Sequence, residues 1–216
     1  MQLRRRISNR IRYDLKYGLT TETLLRQLLR LGMEISFYYV FREGLSETKS
    51  QKVKSKTEHG EIVFLSIDEM RNIACIDDRR DSESDFRERI ARGDQCLALK
   101  VDGMIAGFTW CRFDLFPYPP NLGFKLKENE AYLYDMYILK AYRGSDFAPV
   151  LRYRCYEELH KMGRGVLFSF SDKFNTPAVR FKSKLGAQIT SLCLYVNFGK
   201  RYQWNWNLRN YPESAV

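Results

Sequence analysis

The chain has 216 residues, a formal net charge of +10, and 44 % hydrophobic, 29 % charged and 14 % aromatic residues. That is the composition of a globular protein, long enough for one domain with a sizeable core or one domain plus an appendage. No run of 18 apolar residues occurs, which excludes a membrane-spanning helix, and two His with five Cys at no ligand spacing exclude a His- or Cys-built metal site.

The excess charge is concentrated at the start. Residues 1–60 hold 13 Lys and Arg against 6 Asp and Glu, and the remainder is nearly balanced. Such a stretch is expected to be a solvated basic face or to attract an acidic or phosphorylated partner. No apolar block follows the opening MQLRRR, so no secretory signal is expected. With the odd count of cysteines, several in apolar settings, this points to reduced thiols in a cytoplasmic protein.

In residues 1–18 the apolar positions Leu3, Ile7, Ile11 and Leu15 recur every four residues among arginines, the pattern of an amphipathic helix. Such a helix can dock on its own domain or make peripheral membrane contact. A second helix is expected over residues 20–32, then a strand over 35–41, rich in aromatics. Residues 46–60, Lys-rich and polar, read as a linker or loop. The domain boundary is placed there: a basic extension, 1–60, and a main domain, 61–216, whose sheet the preceding strand can still join.

The main domain reads as a strand at 62–67, a short helix from Asp68, a charged helix at 82–92 capped by Ser82 or Ser84, and a hairpin of strands 96–101 and 104–115. Asp102-Gly103 between those strands is a strong two-residue turn signal. Residues 116–127, with three prolines, form a loop beside the next strand. Then come strand 131–140, a small-residue turn at 141–148, a helix to about Met162, a strand at 165–171, and a helix opening at Asn175 and ending at Leu185-Gly186. Two further strands follow, 188–194 and then, after a tight reversal, 195–198. The Trp-rich tail 202–212 is expected to pack on the sheet. On strand 131–140, alternation places Tyr132, Tyr134 and Met136 on one face, and Asp135 and Tyr137 on the other.

The strand, turn and helix at 131–162 present free backbone N–H groups and a positive dipole end, which suits a phosphate. The motif YILKAYRGSDFA at 137–148, together with NTPAVRFKSKLG at 175–186, resembles the two cofactor motifs of the GCN5-related N-acetyltransferase (GNAT) superfamily. The resemblance covers roughly residues 61–200. It implies an α/β (α+β) fold: a mixed, mostly antiparallel sheet with a splayed central parallel strand pair and helices on both faces, here with an N-terminal helix and strand extension. It implies an acyl-CoA-dependent N-acyltransferase, most simply using acetyl-CoA, that moves the acyl group to an amine by direct attack, with no metal. Carried over, the backbone near Tyr137, Ile138 and Leu139 and the Asn175 side chain would meet the pantetheine arm. Arg143, Gly144, Ser145, Asp146, Phe147 and Ala148 would form the pyrophosphate loop.

Two positions depart from the family pattern. Asp146 stands where the loop usually has Gly; its carboxylate is expected to cap the helix through the N–H of residue 148 and to repel a pyrophosphate. Lys182 stands where many relatives carry the Tyr that reprotonates the CoA thiolate. These departures keep open a second class of function, a catalytically degenerate module binding an acidic partner, and a third, transfer from an acyl carrier protein or aminoacyl-tRNA. For the enzyme reading, freeing a primary amine of its proton at neutral pH costs about 4 kcal/mol, so a nearby carboxylate is needed. Asp135 is the first candidate and Glu130, at the strand entrance, the second. Ser169 and Ser171 are expected to bond ligand or to face solvent.

Overall fold

The computed structural model describes residues 28–29, 32–44, 60–74, 81–117, 123–144, 146–199 and 201–212. The helix expected at 1–18, most of the one at 20–32, the Lys-rich stretch 46–60 apart from Gly60, Cys75 and Ser145 lie outside these residues.

Among the described residues, β1 (Met33–Glu43), β2 (Gly60–Phe64), α1 (Ile67–Ala74), α2 (Glu83–Ala91), β3 (Gln95–Val101) and β4 (Met104–Arg112) come first. Short strands β5 (Leu115–Phe116) and β6 (Phe124–Lys125) pair with each other, giving the expected loop a ladder of its own. Then follow β7 (Glu130–Ile138), α3 (Phe147–Lys161), β8 (Val166–Asp172), α4 (Thr176–Lys184), β9 (Gln188–Phe198) and β10 (Tyr202–Asn210). Eight strands form one sheet in the order β10-β9-β1-β8-β7-β4-β3-β2. Among the described residues β7 and β8 pair in parallel, and the other ladders of this sheet are antiparallel.

Local chemistry accounts for several of these elements. Asp102 and Gly103 both adopt positive φ, 50° and 76°, as a two-residue turn between right-twisted strands requires. Ser82 begins α2 with a reciprocal capping box: its Oγ accepts from the Asp85 N–H at 3.3 Å, and Asp85 Oδ2 accepts from the Ser82 N–H at 2.7 Å. Asn175 caps α4 by accepting from the Ala178 N–H at 3.3 Å, with Pro177 in the first turn where its missing N–H costs nothing.

Helices α1 and α2 cover one face of the sheet, packing Met70, Ile73 and Phe86 against Ala98, Phe108 and Trp110. Helix α3 covers the other face, packing Cys155, Tyr156 and Leu159 against Leu97, Leu133 and Leu167. Cys96, Cys111, Cys155 and Cys193 are buried and form no disulfide among the described residues.

β1 comes from the basic N-terminal stretch yet lies inside the sheet. Tyr38 is opposite Asp172 of β8 on one side and Cys193 of β9 on the other. The reversal expected at 194–195 does not occur. β9 runs unbroken to Phe198 because β1 and β10 pair with it on both sides, and the turn falls at Gly199, φ 59°. The Trp-rich tail does join the sheet as β10, but at its edge, so Trp204 and Trp206 remain 43 % and 46 % exposed.

Candidate functional site

The site is made by a ladder that stops. β7 and β8 pair at Glu130–Val166, Ala131–Leu167 and Tyr132–Phe168, and no further. Beyond Tyr132, β7 stays with β4 while β8 stays with β1. A bulge sharpens the parting: the β4–β7 register shifts between Phe108 and Trp110, and Asp135 takes a φ of 48°. Asp tolerates that left-handed conformation better than most residues. The bulge also overturns the expected alternation. Tyr134 and Tyr137 pack on the same side, against Trp110 and Phe108, while Met136 turns to the α3 side with Ile138.

A cavity of about 530 Å³ opens where the strands part. Its wall includes Asp135 and Ile138 of β7, Ala148 and Arg152 of α3, Asn175 at the head of α4, and Lys182. The structure thus gathers five of the residues foreseen in the sequence and adds Arg152. Glu130 sits at the zipped end, outside the lining, with its carboxylate accepting from the Lys127 N–H at 2.9 Å.

Asp135 is gripped by Arg89 of α2, Nη1 to Oδ2 at 2.6 Å, and the same guanidinium reaches Asp81 at 2.7 Å. Arg89 lies over the rings of Phe86, Trp110 and Tyr134, 5.1–5.5 Å from their centroids, which fixes its plane. Tyr134 itself donates to Asp94 at 2.7 Å, and burial, more than this bond, pushes its hydroxyl far above the usual range.

Arg143 and Gly144 lead toward α3. Gly144 adopts φ 80°. Arg143 folds back, its Nε donating to the Ile138 carbonyl at 3.0 Å and its guanidinium 5.1 Å from the Tyr137 ring centroid. Leu139 N–H is bonded to the Ala106 carbonyl at 2.9 Å, so it belongs to the β4 side. Phe147 opens the helix, edge-on to Tyr142. Asp146 occupies the N-cap position, and its backbone carbonyl accepts from the Val150 N–H at 3.2 Å, but its side chain makes no capping bond. The expected cap is therefore absent: at φ −78° and ψ 7° the residue is outside the extended region that normally aims an N-cap side chain at the helix amides.

Lys182 is buried. Its Nζ donates to Ser169 Oγ at 2.7 Å and to the Phe170 carbonyl at 2.8 Å. Ser169 in turn donates to Glu43 Oε1, and Tyr156 donates to Glu43 Oε2 at 2.5 Å. Ser169 is thus not solvent-facing, nor is Ser171, which lines the cavity. Burial drives the Lys182 ammonium down to about 8, although Glu43 opposes the shift. Burial would raise the Glu43 carboxyl, but Arg152, Lys182, Ser169 and Tyr156 together hold it below the usual carboxylate range. Burial and Glu43 push Tyr156 well above 10, so it stays a neutral donor.

Glu43, Arg152 and Arg89 were missed in the sequence, though two left a trace. Glu43 ends the alternating run Phe37, Tyr39, Phe41, and Arg152 lies on the helix stripe with Cys155 and Leu159. A charge on an apolar stripe asks for a buried partner.

The chain belongs to the acetyltransferase (GNAT) family, whose model matches residues 60–187. Solved structures share the fold, among them the following three. A protein described as a GNAT-family acetyltransferase from Novosphingobium aromaticivorans is 17 % identical, with a TM-score of 0.51, covering 77 % of this chain and 66 % of its own. A conserved protein of unknown function from Staphylococcus epidermidis is 13 % identical, with a TM-score of 0.53, over 81 % and 66 %. A tandem GNAT protein of the clavulanic acid biosynthesis pathway is 14 % identical, with a TM-score of 0.53, over 86 % and 58 %. The aligned part is thus slightly under two thirds of the first two structures and less of the third. No curated protein sequence matches the chain. Among the described residues, no helix is long and apolar enough to cross a membrane, and no group of three or more His, Cys, Asp and Glu is placed to hold a metal ion.

Proposed function

We propose that the chain is an acyl-CoA-dependent N-acyltransferase, using acetyl-CoA or another acyl-CoA and delivering the acyl group to an amine by direct attack. The observation that carries this reading is the parting of β7 and β8 beyond the Tyr132–Phe168 pair, above a cavity that reaches from the head of α3 to a buried Lys182.

The residues present suit the co-substrate. The loop of Arg143, Gly144, Ser145, Phe147 and Ala148 would hold the pyrophosphate at the N-terminus of α3, where dipole and free amides favour an anion. The edges of Tyr137, Ile138 and Leu139, with Asn175, would flank the pantetheine arm, and the co-substrate supplies the activated thioester. Lys182 would return a proton to the sulfur; with a value of about 8, its acidity is matched to that of a thiol, about 8.5. Asp135, aimed by Arg89, would take the amine's proton directly or through water. Holding both reactants in line removes the need for a covalent enzyme intermediate. On this reading the chain divides into the basic stretch 1–60 and the transferase fold 61–216, with β1 of the former built into the sheet of the latter.

Titration calorimetry with acetyl-CoA tests the proposal. A dissociation constant in the micromolar range or tighter is expected. No heat at millimolar ligand would overturn it and leave a module that has kept the fold without the cofactor.

A further inference from the structure

Arg152 of α3 and Lys182 of α4 line the cavity, and Glu43 of β1 lies buried behind them, so that three ionic side chains from three different elements meet there. Their side-chain exposures are 3 %, 7 % and 0 %. The carboxylate is approached from β8, α3 and α4. Ser169 of β8 and Tyr156 of α3 donate to it, Arg152 Nε stands 3.4 Å away, and Lys182 Nζ 3.8 Å away. Arg152 Nε is close enough for an ion pair, yet it is not aligned to hydrogen-bond any protein atom. On its other side Arg152 Nη1 reaches Thr109 Oγ1 at 3.5 Å, and that hydroxyl is bonded to the Tyr134 carbonyl on β7. The Glu43–Arg152 pair therefore links the β8 and β1 side of the gap to the β4 and β7 side.

Two cations share one anion here, so the cluster carries a surplus positive charge in a place that water hardly reaches. Such a surplus is unfavourable until an anion joins it.

We propose that Glu43, supplied by the N-terminal strand, is the positioning residue of the transfer site: it holds Lys182 and Arg152 as a cation pair where negative charge gathers on the departing sulfur. This rests on the acyl-transfer reading. In the step, the amine nitrogen bonds to the thioester carbon, the carbon–sulfur bond breaks and its electron pair leaves on sulfur. Lys182 gives its proton to that sulfur, the amine's proton goes to Asp135 or water, and Lys182 regains a proton from solvent. Glu43 touches neither reactant. Its effect passes through Lys182, whose proton burial and Arg152 tend to expel and Glu43 retains. The groups facing Lys182 are Glu43 of β1, Arg152 of α3, and Ser169 and the Phe170 carbonyl of β8; Asp135 of β7 lines the same cavity in its pair with Arg89.

The test is an NMR titration of the Lys182 ammonium in the full chain and in Glu43→Gln, beside the pH profile of kcat. The expected result is that the Lys182 midpoint, near pH 8 in the parent, falls below pH 7 in the variant, and that the descending limb of kcat moves with it. A midpoint and limb that stay near pH 8 overturn the proposal. Should Glu43→Gln fail to fold, Glu43→Asp decides. The shorter carboxylate cannot reach all its partners, so kcat should fall at least tenfold while KM for acetyl-CoA stays within threefold; an unchanged kcat overturns the proposal. A parent chain that binds no acetyl-CoA while its Lys182 midpoint still shifts on substitution overturns the transfer reading instead.

Discussion

On the β2–β3–β4–β7 side of the splay, Leu97, Leu99, Phe108 and Trp110 are fully buried between α1 and α2 on one face and α3 on the other. On the β8–β1–β9–β10 side, burial fades strand by strand, from Phe41 with no exposure to Trp206 at nearly half. The ladder joining the two sides is three residue pairs long. The better-packed side brings Asp135, stiffened by Arg89, and the other brings Ser169 and Glu43; Lys182 comes from α4 beside it. A site at such a seam can have one rigid wall and still admit a long, thin ligand, because the strands that flank it are stabilised by their outer neighbours rather than by each other.

The contrast can be broken hardest at the seam itself. Lys182→Met is expected to lower kcat by about 10²- to 10⁴-fold, the usual range for losing a positioned acid, with acetyl-CoA affinity changed less than about threefold. The parent's kcat should decline as pH rises through about 8, since the acid form is lost there, and this limb should vanish in the variant. Folding has its own signature. Folded Lys182 releases its proton near 8 while the unfolded chain keeps it to 10.5, so the unfolded state binds more protons between these values and stability rises with pH across that window. Urea unfolding of parent and Lys182→Met at pH 7.5 and 10 reads that difference.

A pair of truncations sharpens the comparison of packing. Trp110→Ala, in the covered half, is expected to cost about 3–5 kcal/mol. Trp206→Ala, at the open edge, should cost less than about 1 kcal/mol. Equal losses in urea unfolding would contradict the difference in burial.

These two tryptophans also mark what the sequence made legible. The covered half is written in short-range signals: the Asp102-Gly103 turn, a serine cap on the charged helix, and a strand, a turn and a helix in succession. These elements appear where the spacing places them, with the cap at Ser82, although the sequence pattern leaves Ser82 and Ser84 open and does not single out the reciprocal arm from Asp85. The open half depends on pairing across long stretches of chain. The slot taken by β1 between β8 and β9 has no local signature, which is why the sequence pattern reads β9 as two strands and β10 as a tail packed on the sheet. The bulge at Asp135 stayed hidden for a related reason: the alternation of Tyr132, Tyr134 and Met136 assumes a regular ladder, and only β4 reveals that the register slips. Glu43, Arg152 and Lys182 were readable as charges, but not as partners.

Smaller effects are expected at the two helix entrances. Asp146→Gly removes a carboxylate that makes no capping bond from the positive end of α3, so acetyl-CoA should bind about three- to tenfold more tightly by calorimetry. Looser binding would show that the side chain orders the loop. Ser82→Ala, which removes one arm of the capping box on α2, should cost about 1 kcal/mol in unfolding and leave acetyl-CoA affinity unchanged.

The place of β1 has a consequence for how the molecule is made. Tyr38 is synthesised 155 residues before its neighbour Cys193. At about 5–20 residues per second, that is a wait on the order of ten seconds or more. Until residue 172 is made Phe37, Tyr39 and Phe41 have no β8 beside them, and β9 comes later still, while the hairpins of the other half can already close. Nascent chains stalled before residue 166 should therefore present an aromatic N-terminal strand to chaperones, and maturation should end with that early strand captured by late ones.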